Sequence, residues 1–568
     1  MRTMEFKDLK DMLKQTGEKY GDKKAYLLQE KSGVREITHK QFREEINYLG
    51  TAMIEMGLKG KRIAVIGENR YEWELAYLAI ATGVGVVVPL DKALPENEIE
   101  SLILRSEVEA IVYSNKYDEA MANIQKKGIS KLKYFISMDL EKHEFDKYSL
   151  KEILEKGKEL VDSGNKEFID AEINNEEMGI MLFTSGTTNK SKAVMLSHKN
   201  ICTNIMDIQE SFELTDEDIL LSFLPLHHTF ECTVGFLYPI SIGASIVFSK
   251  GVRHIADELK TFGITAMICV PVVYEKMYGK LLKGIKDKGK DGTVKTAVKM
   301  SNILSKVGID VRKRLFKDIH QNLGGKIKVM VAGGAALSPE VEKGFFDLGF
   351  NLLQGYGLTE TSPVIAAELT DQRRIGSIGK KLPSVEVKLD EVDEKTGVGE
   401  LLVKGDSVML GYFGDDEANK EAFTEDRWLH TGDYAKIDKD GYIFISGRKK
   451  FVIVLSNGKN VYPEELETLL NNSPLVAESM VYGAEDFKDK DITVSVKVVY
   501  DKNYIQEKYG NLTEDEIKEL IWKEVKVVNR TMPKYKWIKN LLITDEEFEK
   551  TTTHKIKRKV EIEKILQG

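Results

Sequence analysis

Residues 181–197 read MLFTSGTTNKSKAVMLS, and this stretch decides the fold of the region around it. Apolar residues at 180–183 and 193–196 flank a polar segment, so the pattern predicts two buried strands joined by a loop. A Walker A loop would lead directly into a helix and would have the order Gly, four residues, Gly-Lys-Ser/Thr. This segment fits neither requirement, and it therefore predicts a different kind of loop.

The composition of the loop suits an anion. Small hydroxyl residues and glycine expose backbone N–H groups, while a lysine adds positive charge for phosphate oxygens. Taken alone, the loop is equally compatible with a polar hairpin turn. The candidate phosphate-binding residues are Thr184, Ser185, Gly186, Thr187, Thr188 and Lys192.

Outward from this loop, helical and strand patterns alternate. Phe42, Ile46 and Leu49 recur at helical spacing before an apolar run at 63–66, and a similar order returns at 99–113. A helical pattern at 341–348 then precedes a loop predicted at Gly355. This alternation predicts an α/β fold with parallel sheets covered by helices. The Lys-rich stretch 281–323 is predicted to be helical and to lie outside the sheets, because its charges could not be buried unpaired.

The chain of 568 residues is long enough for more than one domain. A short polar junction at 447–450 separates two strand-like segments, and the 118 residues after Lys450 suffice for a small domain. We therefore predict a large N-terminal α/β domain of several subdomains over 1–449 and a small C-terminal α+β domain over 450–568.

Composition excludes several classes of protein. The net charge is −8 with both signs interspersed, which predicts no nucleic-acid partner. Cys202, Cys232 and Cys269 are far apart, so neither a disulfide framework nor a metal site is expected. The N-terminal residues do not resemble an export signal, and the apolar stretch 76–90 is shorter than the ~20 residues of a membrane span. A cytoplasmic location is expected, while peripheral membrane contact and a homodimer stay open.

Two further motifs are compatible with a ligand site or with ordinary packing. LPLHHTFE at 224–231 contains His228, which could face a substrate or serve as a core histidine. VMVAGGAALSPE at 329–340 has Gly333, Gly334 and Ala335 between a strand pattern and a helix start, where small side chains allow a flat ring to approach the backbone.

The string QGYGLTETSP at 354–363 carries more specific chemistry. Tyr356 can pack on a base, Thr359 can donate to a phosphate, and Glu360 offers a hard oxygen suited to Mg²⁺. Farther on, Asp433 can accept two ribose hydroxyls and Arg448 can bind ribose or phosphate. An exposed ion pair is the alternative for these last two residues.

The final motif, FEKTTTHKIKR at 548–558, would on its own indicate a solvated basic tail. Together with the preceding motifs, it resembles the adenylate-forming superfamily of acyl-CoA synthetases, luciferases and peptide-synthetase adenylation domains. That family's phosphate loop reads Thr-Ser-Gly-Thr-Thr-Gly-x-Pro-Lys-Gly, and its last motif reads Lys-Thr-x-x-Gly-Lys. This chain departs from the two motifs at Asn189, Ser191, Ala193 and His554.

The resemblance covers essentially the whole chain. ENRYEW at 68–73 and PVVYEKMY at 271–278 lean toward the long-chain fatty acyl-CoA synthetase branch, although Val272 stands where that branch often has Arg. The resemblance implies Mg²⁺-dependent attack of a medium- to long-chain fatty acid on ATP, release of pyrophosphate, and transfer of the acyl group to coenzyme A. An acyl-carrier-protein ligase and a non-catalytic sensor of a nucleotide or an acyl-adenylate are the alternatives.

Roles carried over from the family fall on matching positions. The catalytic residues would be Lys555, Thr184, Glu360 and His228, with Thr184 and Glu360 also holding Mg²⁺. The hinge to a mobile C-terminal domain would be Lys450, and the coenzyme A tunnel would be lined by Ser456, Asn457 and Gly458. The predicted ATP- and AMP-binding residues are Thr184, Ser185, Gly186, Thr187, Thr188, Lys192, Gly333, Gly334, Ala335, Gln354, Gly355, Tyr356, Gly357, Thr359, Asp433, Ile445 and Arg448.

Overall fold

A computed structural model describes most of the chain: residues 4–128, 130–184, 191–305, 308–456, 459–485, 492–550 and 555–567. Several predicted site residues and two of the departures from the family motifs lie outside this part, namely Ser185, Gly186, Thr187, Thr188, Asn189, Asn457, Gly458 and His554. The chain forms two compact units, the first from Met1–Glu386 and Val403–Leu429, the second from Val387–Leu402 and His430–Gly568. The predicted boundary at Lys450 stays a prediction.

The strands, in chain order, are β1 Lys24–Glu30, β2 Gly33–Thr38, β3 Lys61–Ile66, β4 Gly85–Pro89, β5 Ala110–Tyr113, β6 Tyr134–Ser137, β7 Tyr148–Ser149, β8 Met178–Thr184, β9 Lys192–Ser197, β10 Ile219–Ser222, β11 Ser245–Phe248, β12 Ala266–Cys269, β13 Val329–Ala332, β14 Leu352–Gly357, β15 Val364–Ala367, β16 Lys380–Lys381, β17 Glu386–Asp390, β18 Gly399–Lys404, β19 Gly411–Tyr412, β20 Leu429–Ile437, β21 Ile443–Arg448, β22 Ile453–Val454, β23 Asn460–Val461, β24 Val476–Glu485, β25 Ile492–Tyr500 and β26 Asn540–Thr544.

The α-helices are α1 Leu9–Tyr20, α2 His39–Glu55, α3 Tyr71–Ala79, α4 Glu96–Ser106, α5 Asp118–Lys127, α6 Leu150–Asp162, α7 His198–Ser211, α8 Tyr238–Ser241, α9 Ile255–Phe262, α10 Pro271–Asp287, α11 Asp291–Ser305, α12 Arg312–Leu315, α13 Lys317–Asn322, α14 Pro339–Asp347, α15 Asp416–Ala422, α16 Pro463–Leu470, α17 Lys502–Tyr509, α18 Glu514–Thr531 and α19 Arg558–Gln567.

Two large sheets organise the first unit. One has nine strands in the order β16-β15-β14-β13-β12-β10-β11-β1-β2, and the other has eight in the order β19-β9-β8-β4-β3-β5-β6-β7. Their inner strands pair in parallel, whereas β9, β15 and β2 pair antiparallel with their neighbours. Buried apolar residues on these strands pack beneath the helices, so the predicted α/β class is confirmed.

Element predictions hold where the apolar pattern is long. The stretch 76–90 is a buried helix that passes through a π-helical segment, Ile80–Val84, into strand β4. The Lys-rich stretch 281–323 is helical and outside the sheets, as predicted. One local expectation is wrong, because Gly355 lies within strand β14 and not in a loop; its backbone pairs with Ala367 of β15.

The second unit has smaller sheets. Strands β24, β25 and β26 form one sheet, and helices α16 and α18 pack on it through apolar residues that include Leu466, Val496 and Ile521. A four-stranded sheet has the order β17-β18-β20-β21. None of the described helices is both long enough and apolar enough to cross a membrane. The three cysteines are buried thiols without disulfides.

His198 fixes the start of the helix that follows β9. It is 2% exposed, its Nδ1 accepts a hydrogen bond from the backbone N–H of Leu9 at 3.2 Å, and a Cβ on Gly179 would lie 2.7 Å from its ring. Burial lowers the pKa of His198 from 6.5 to about 4, against a smaller opposite effect of Asp8.

We expect this histidine to make the fold sensitive to acid. Between pH 6.5 and 4 the unfolded chain binds a proton that folded His198 does not, so about 3 kcal/mol of stability is lost over that window. In His198→Gln, the melting temperature is lower at pH 7 but falls less than that of the wild type on going to pH 5. Scanning calorimetry of both proteins, with the exposed His254→Gln variant as control, measures this; an unchanged pH slope in His198→Gln would refute the assignment.

Candidate functional site

The ends of the predicted phosphate loop meet at the open end of the β8–β9 hairpin. Thr184 is the last residue of β8, Lys192 is the first of β9, and the two are register partners. The hydroxyl of Thr184 lies 3.5 Å from the carbonyl oxygen of Lys192. The loop residues 185–190 lie outside the described part of the chain, but its two ends are set by the hairpin.

Arg105, which no sequence motif marks, binds the end of this loop. Its guanidinium donates to the hydroxyl of Ser191 at 3.1 Å and to the carbonyl oxygen of Ser191 at 2.5 Å, and it lies over the ring of Phe183. Ser191 stands where the family motif has proline. A proline has no hydroxyl, so this chain fixes the position with a hydrogen-bonded serine.

Tyr412 connects the loop to the QGYGLTETSP motif. The ammonium of Lys192 lies 4.7 Å from the centre of the Tyr412 ring, and the Tyr412 hydroxyl donates to Glu360 Oε1 at 2.9 Å. Burial and the neighbouring Glu360 carboxylate raise the pKa of Tyr412, so the phenol stays protonated. Lys192 and Glu360 therefore contact the ring and the hydroxyl, respectively, of the same side chain.

Backbone pairing fixes this arrangement. Strand β19 pairs antiparallel with β9, with Tyr412 opposite Val194, and Asn419 accepts a hydrogen bond from the Tyr412 N–H at 2.7 Å. The N–H of Met409 donates to the carbonyl oxygen of Glu360 at 2.8 Å. No motif surrounds Tyr412 in the sequence, and only the sheet reveals its role.

The motifs VMVAGGAALSPE at 329–340 and QGYGLTETSP at 354–363 are adjacent because strands β13 and β14 pair in parallel. Gln354 bridges them: its Oε1 accepts from the N–H of Leu337 at 3.1 Å. Gly334 has φ +81°, and a Cβ on Gly357 would lie 2.0 Å from the carbonyl oxygen of Pro363. Both positions therefore require glycine.

Thr359 and Glu360 lie in the 3₁₀ turn Thr359–Thr361 that follows β14, and Ala335 precedes helix α14. Gly333 is close-packed, because a Cβ there would lie 2.8 Å from the ring of Phe230. Gly355 and Tyr356 follow Gln354 along β14, which places this run beside the 333–337 turn.

Two buried acids lie near Gln354, and one of them accepts a hydrogen bond from its backbone. Glu368 and Glu342 are fully buried, and Glu368 accepts a hydrogen bond from the N–H of Gln354 at 3.0 Å. Burial and the negative charge of Glu342 raise the pKa of Glu368 to about 7, and burial also raises the pKa of Glu342. No motif in the sequence predicts this pair.

Three polar side chains hold the loop that carries His228. Asn69 of the ENRYEW motif donates to the Ser222 hydroxyl at 3.0 Å and to the Leu224 carbonyl at 2.6 Å, while Glu231 Oε2 accepts from the Leu224 N–H at 3.2 Å. His227 Nε2 lies 3.3 Å from Asp91 Oδ1.

Glu231 is fully buried, and burial raises its pKa to about 8, which favours its protonated form at neutral pH. The ring of His228 packs on that of His227 with centroids 4.2 Å apart. Asn69 and Glu231 lie within motifs visible in the sequence, but their positioning roles required the structure.

Three of the predicted site residues in the second unit lie on strands β20 and β21. Asp433 and Arg448 are register partners on β20 and β21, with Asp433 Oδ1 3.3 Å from Arg448 Nε, and Ile445 of β21 pairs with Ala435. Partial desolvation, followed by the positive charges of Arg448 and Lys555, lowers the pKa of Lys450 to about 8.

The ammonium of Lys450 lies 4.6 Å from the centre of the Phe451 ring. Lys555 and Ser456 are exposed. Arg448, Lys450 and Lys555 thus form a cationic group on the second unit.

Among the described residues, no cluster of three or more His, Cys, Asp or Glu side chains could enclose a metal ion. Glu360 offers a single carboxylate, whose Oε1 accepts a hydrogen bond from the Tyr412 hydroxyl. This donor set fits Mg²⁺, because that ion commonly takes one or two protein carboxylates and completes its shell with water and substrate phosphates.

Family comparison agrees with this geometry. The AMP-binding enzyme family model matches residues 13–413, and the model of the AMP-binding enzyme C-terminal domain matches residues 450–565. Fatty acyl-CoA synthetase B of Dictyostelium discoideum is 29% identical over 512 residues, covering 84% of this chain and 75% of that protein. The long-chain-fatty-acid–CoA ligase FadD15 of Mycobacterium bovis is 27% identical and covers 93% and 91%.

Solved structures share the fold. The anthranilate CoA ligase AuaEII, in complex with anthranoyl-AMP, has a TM-score of 0.78 at 19% identity, with 98% of this chain and 97% of that one covered. ATP-bound MatB from Rhodopseudomonas palustris has a TM-score of 0.75 at 23% identity, with 98% and 99% covered. The chain belongs to the AMP-binding enzyme family and is an acid–thiol ligase of the acyl-CoA synthetase class, which acts through an acyl-adenylate.

Proposed function

We propose that this enzyme activates a medium- to long-chain fatty acid with Mg·ATP and transfers the acyl group to coenzyme A in the cytoplasm. The observation that carries the adenylation step is the connection of Lys192 to Glu360 through Tyr412, at the end of the β8–β9 hairpin. The names of the fatty acyl-CoA synthetase relatives support the substrate class.

In the first step the fatty acid carboxylate attacks the α-phosphorus of ATP. A new O–P bond forms, the bond from the α-phosphorus to the bridging oxygen breaks, and pyrophosphate leaves. Negative charge accumulates on the phosphate oxygens, where Lys192, Lys555 and the loop N–H groups would stabilise it. His228 would lie near the substrate carboxylate, on the loop that Asn69 and Glu231 hold in place.

Each unit carries predicted nucleotide-binding residues. The 333–335 turn and Tyr356 would receive the adenine, while Asp433 would accept the ribose hydroxyls and Arg448 would donate to ribose or phosphate. Thr184 and Glu360 would hold Mg²⁺, which supplies positive charge that offsets the charge of the triphosphate. Tyr412 keeps the carboxylate of Glu360 oriented.

In the second step the sulfur of coenzyme A attacks the acyl carbonyl carbon. The thiol proton is lost to solvent, the acyl–O–P linkage breaks at its acyl–oxygen bond, and AMP leaves as the thioester forms. Ser456, Asn457 and Gly458 would line the path of the thiol. The hinge at Lys450 would allow a domain over 450–568 to withdraw Lys555 between the steps.

Two alternatives keep parts of this chemistry. A carrier-protein ligase would use the same adenylation step with a protein-bound thiol, and a sensor would bind ATP without turnover. The presence of Lys192, Glu360, Asp433, Arg448 and Lys555 favours catalysis over sensing, because a protein that only binds nucleotide does not need the complete set.

The first test measures pyrophosphate release with Mg·ATP across carboxylic acids of increasing chain length, with coenzyme A, with a holo carrier protein, or with neither. We expect release coupled to thioester formation on coenzyme A, highest for fatty acids, and about 100-fold or more slower in Lys555→Ala, because one charge that stabilises the transition state is removed. Lys559→Ala, a lysine outside the motif, serves as the matched control. ATP binding without turnover on any acid would establish the sensor instead.

Tyr412→Phe tests the link to Glu360. The variant keeps the ring beside Lys192 but removes a hydrogen bond to a carboxylate, which contributes about 1.5–3 kcal/mol when charged groups are involved. We expect the Mg²⁺ concentration for half-maximal adenylation to rise about tenfold, whereas Tyr509→Phe on the surface of the second unit has no effect. An unchanged Mg²⁺ dependence in Tyr412→Phe would contradict the assigned role of Tyr412.

Lys450→Pro tests the hinge. Proline fixes φ near −65° and removes a backbone donor, so it restricts rotation about this residue. We expect acyl-adenylate formation to persist while thioester formation falls about 100-fold, measured as two separate half-reactions. Lys450→Ala, which keeps the backbone free, should affect both half-reactions far less. Equal loss of both steps in Lys450→Pro would exclude a hinge at this position.

A further inference from the structure

Helices α10 to α13 form a region whose charge differs sharply from that of the whole chain. Residues 280–317 contain twelve Lys and Arg but only three Asp and no Glu, a formal charge of +9 in a protein of net charge −8. The expectation of evenly interspersed charge therefore fails here. The overall total concealed the difference, because acidic residues elsewhere compensate for it.

These cations have few partners within the protein. Among the described residues of α10 to α13, ion pairs join only Lys295 to Asp291 and Arg312 to Asp310. On α6, by contrast, Lys156 pairs with Glu159 and Lys158 with Asp162. The surface formed by α10 to α13 thus presents positive charge that the protein itself does not neutralise.

Apolar side chains are exposed among the same lysines. Val294, Ala297 and Val298 of α11 pack inward on the core of the first unit, whereas Met300 is 55% exposed and Ile303 is 66% exposed. Spacing of three to four residues places Lys299, Met300 and Ile303 on the outward face of α11. Leu282 of α10, Ile309 after α11 and Leu315 of α12 are also more than two-fifths exposed.

The same elements are neighbours in space. Helix α11 packs against α10 on one side and against α12 and α14 on another, and Asn302 of α11 donates to Asp347 of α14 at 2.9 Å. At Gly279, Gly284, Gly289 and Gly292 a Cβ would meet no atom within 4 Å. Within the described part of the first unit, nothing covers this outward side.

We propose that the outward side of α10 to α13 docks on an anionic phospholipid surface. Lysine ammonium groups would attract the negative headgroups, and the exposed Met300, Ile303 and Leu282 side chains would enter the interface between headgroups and acyl chains. A second copy of this chain is disfavoured as the occupant, because two such faces would repel. A nucleic acid would satisfy the charge but would leave the apolar side chains without an apolar partner.

Cosedimentation of the full chain with lipid vesicles tests the docking. We expect binding to vesicles of phosphatidylcholine mixed with phosphatidylglycerol, little binding to phosphatidylcholine alone, and a decrease with added NaCl. Lys280→Glu/Lys283→Glu/Lys299→Glu should weaken the partition roughly 100-fold or more. The matched control is Lys518→Glu/Lys523→Glu/Lys526→Glu on α18, a helix where acidic residues accompany exposed lysines; it should lose far less.

Met300→Ser/Ile303→Ser tests the apolar contribution, and we expect about tenfold weaker binding or more, with Val527→Ser on α18 as control. Vesicle binding is measured without ATP, acid or coenzyme A, so it does not depend on the reaction proposed above. Melting temperature and pyrophosphate release with a water-soluble acid should stay at wild-type level in every variant, which shows that they fold.

Three results would overturn the docking: no binding to the anionic vesicles, an equal loss in the α18 control, or wild-type binding by the serine variant. Tighter binding to an RNA oligonucleotide, lost in the α10–α11 lysine variant, would assign the surface to nucleic acid instead.

Discussion

A site for adenylation must hold a triphosphate and a carboxylate together although both are negatively charged. The protein meets this constraint with the β8–β9 hairpin, which places Thr184 opposite Lys192 at the ends of one loop. Strand β19 pairs with β9 and brings Tyr412 between Lys192 and Glu360. Lys192 and the Glu360 carboxylate, which we propose binds Mg²⁺, are thus held in fixed relation by backbone pairing, which costs no reorganisation when charge develops.

Buried acids with raised pKa values support the loops around this site. Glu231 and Glu368 are fully buried, and burial raises the pKa of Glu231 to about 8 and that of Glu368 to about 7. Each accepts a backbone hydrogen bond, from Leu224 and from Gln354 respectively. A buried carboxylate anion near the substrate would repel phosphate and carboxylate groups, whereas a protonated acid supplies the same hydrogen bond without that repulsion.

Much of the fold was accessible from sequence because apolar periodicity is a local property. The hairpin around 184–192, the passage of 76–90 from helix to strand and the helices outside the sheets all followed from it. Gly355 was misplaced because a glycine-rich motif resembles a loop in sequence, while β14 continues through it by pairing with β15. Tyr412 and Arg105 were missed for a different reason, since only long-range strand pairing and packing bring them to the loop.

The departures from the family motif illustrate the same division between local and long-range information. Ser191 in place of proline looks like a loss of rigidity when the loop is considered alone. Arg105, on helix α4 of the same unit, binds both the hydroxyl and the carbonyl of Ser191 and restores a fixed loop end by side-chain hydrogen bonds. A motif position therefore specifies that the loop end must be fixed more than it specifies a residue type. When the local residue changes, a side chain from a distant element can fix the loop end instead.

Net charge has the same limitation as a local motif. The total of −8 contains a helical region of +9, and the rest of the protein leaves the exposed lysines of that region largely unpaired.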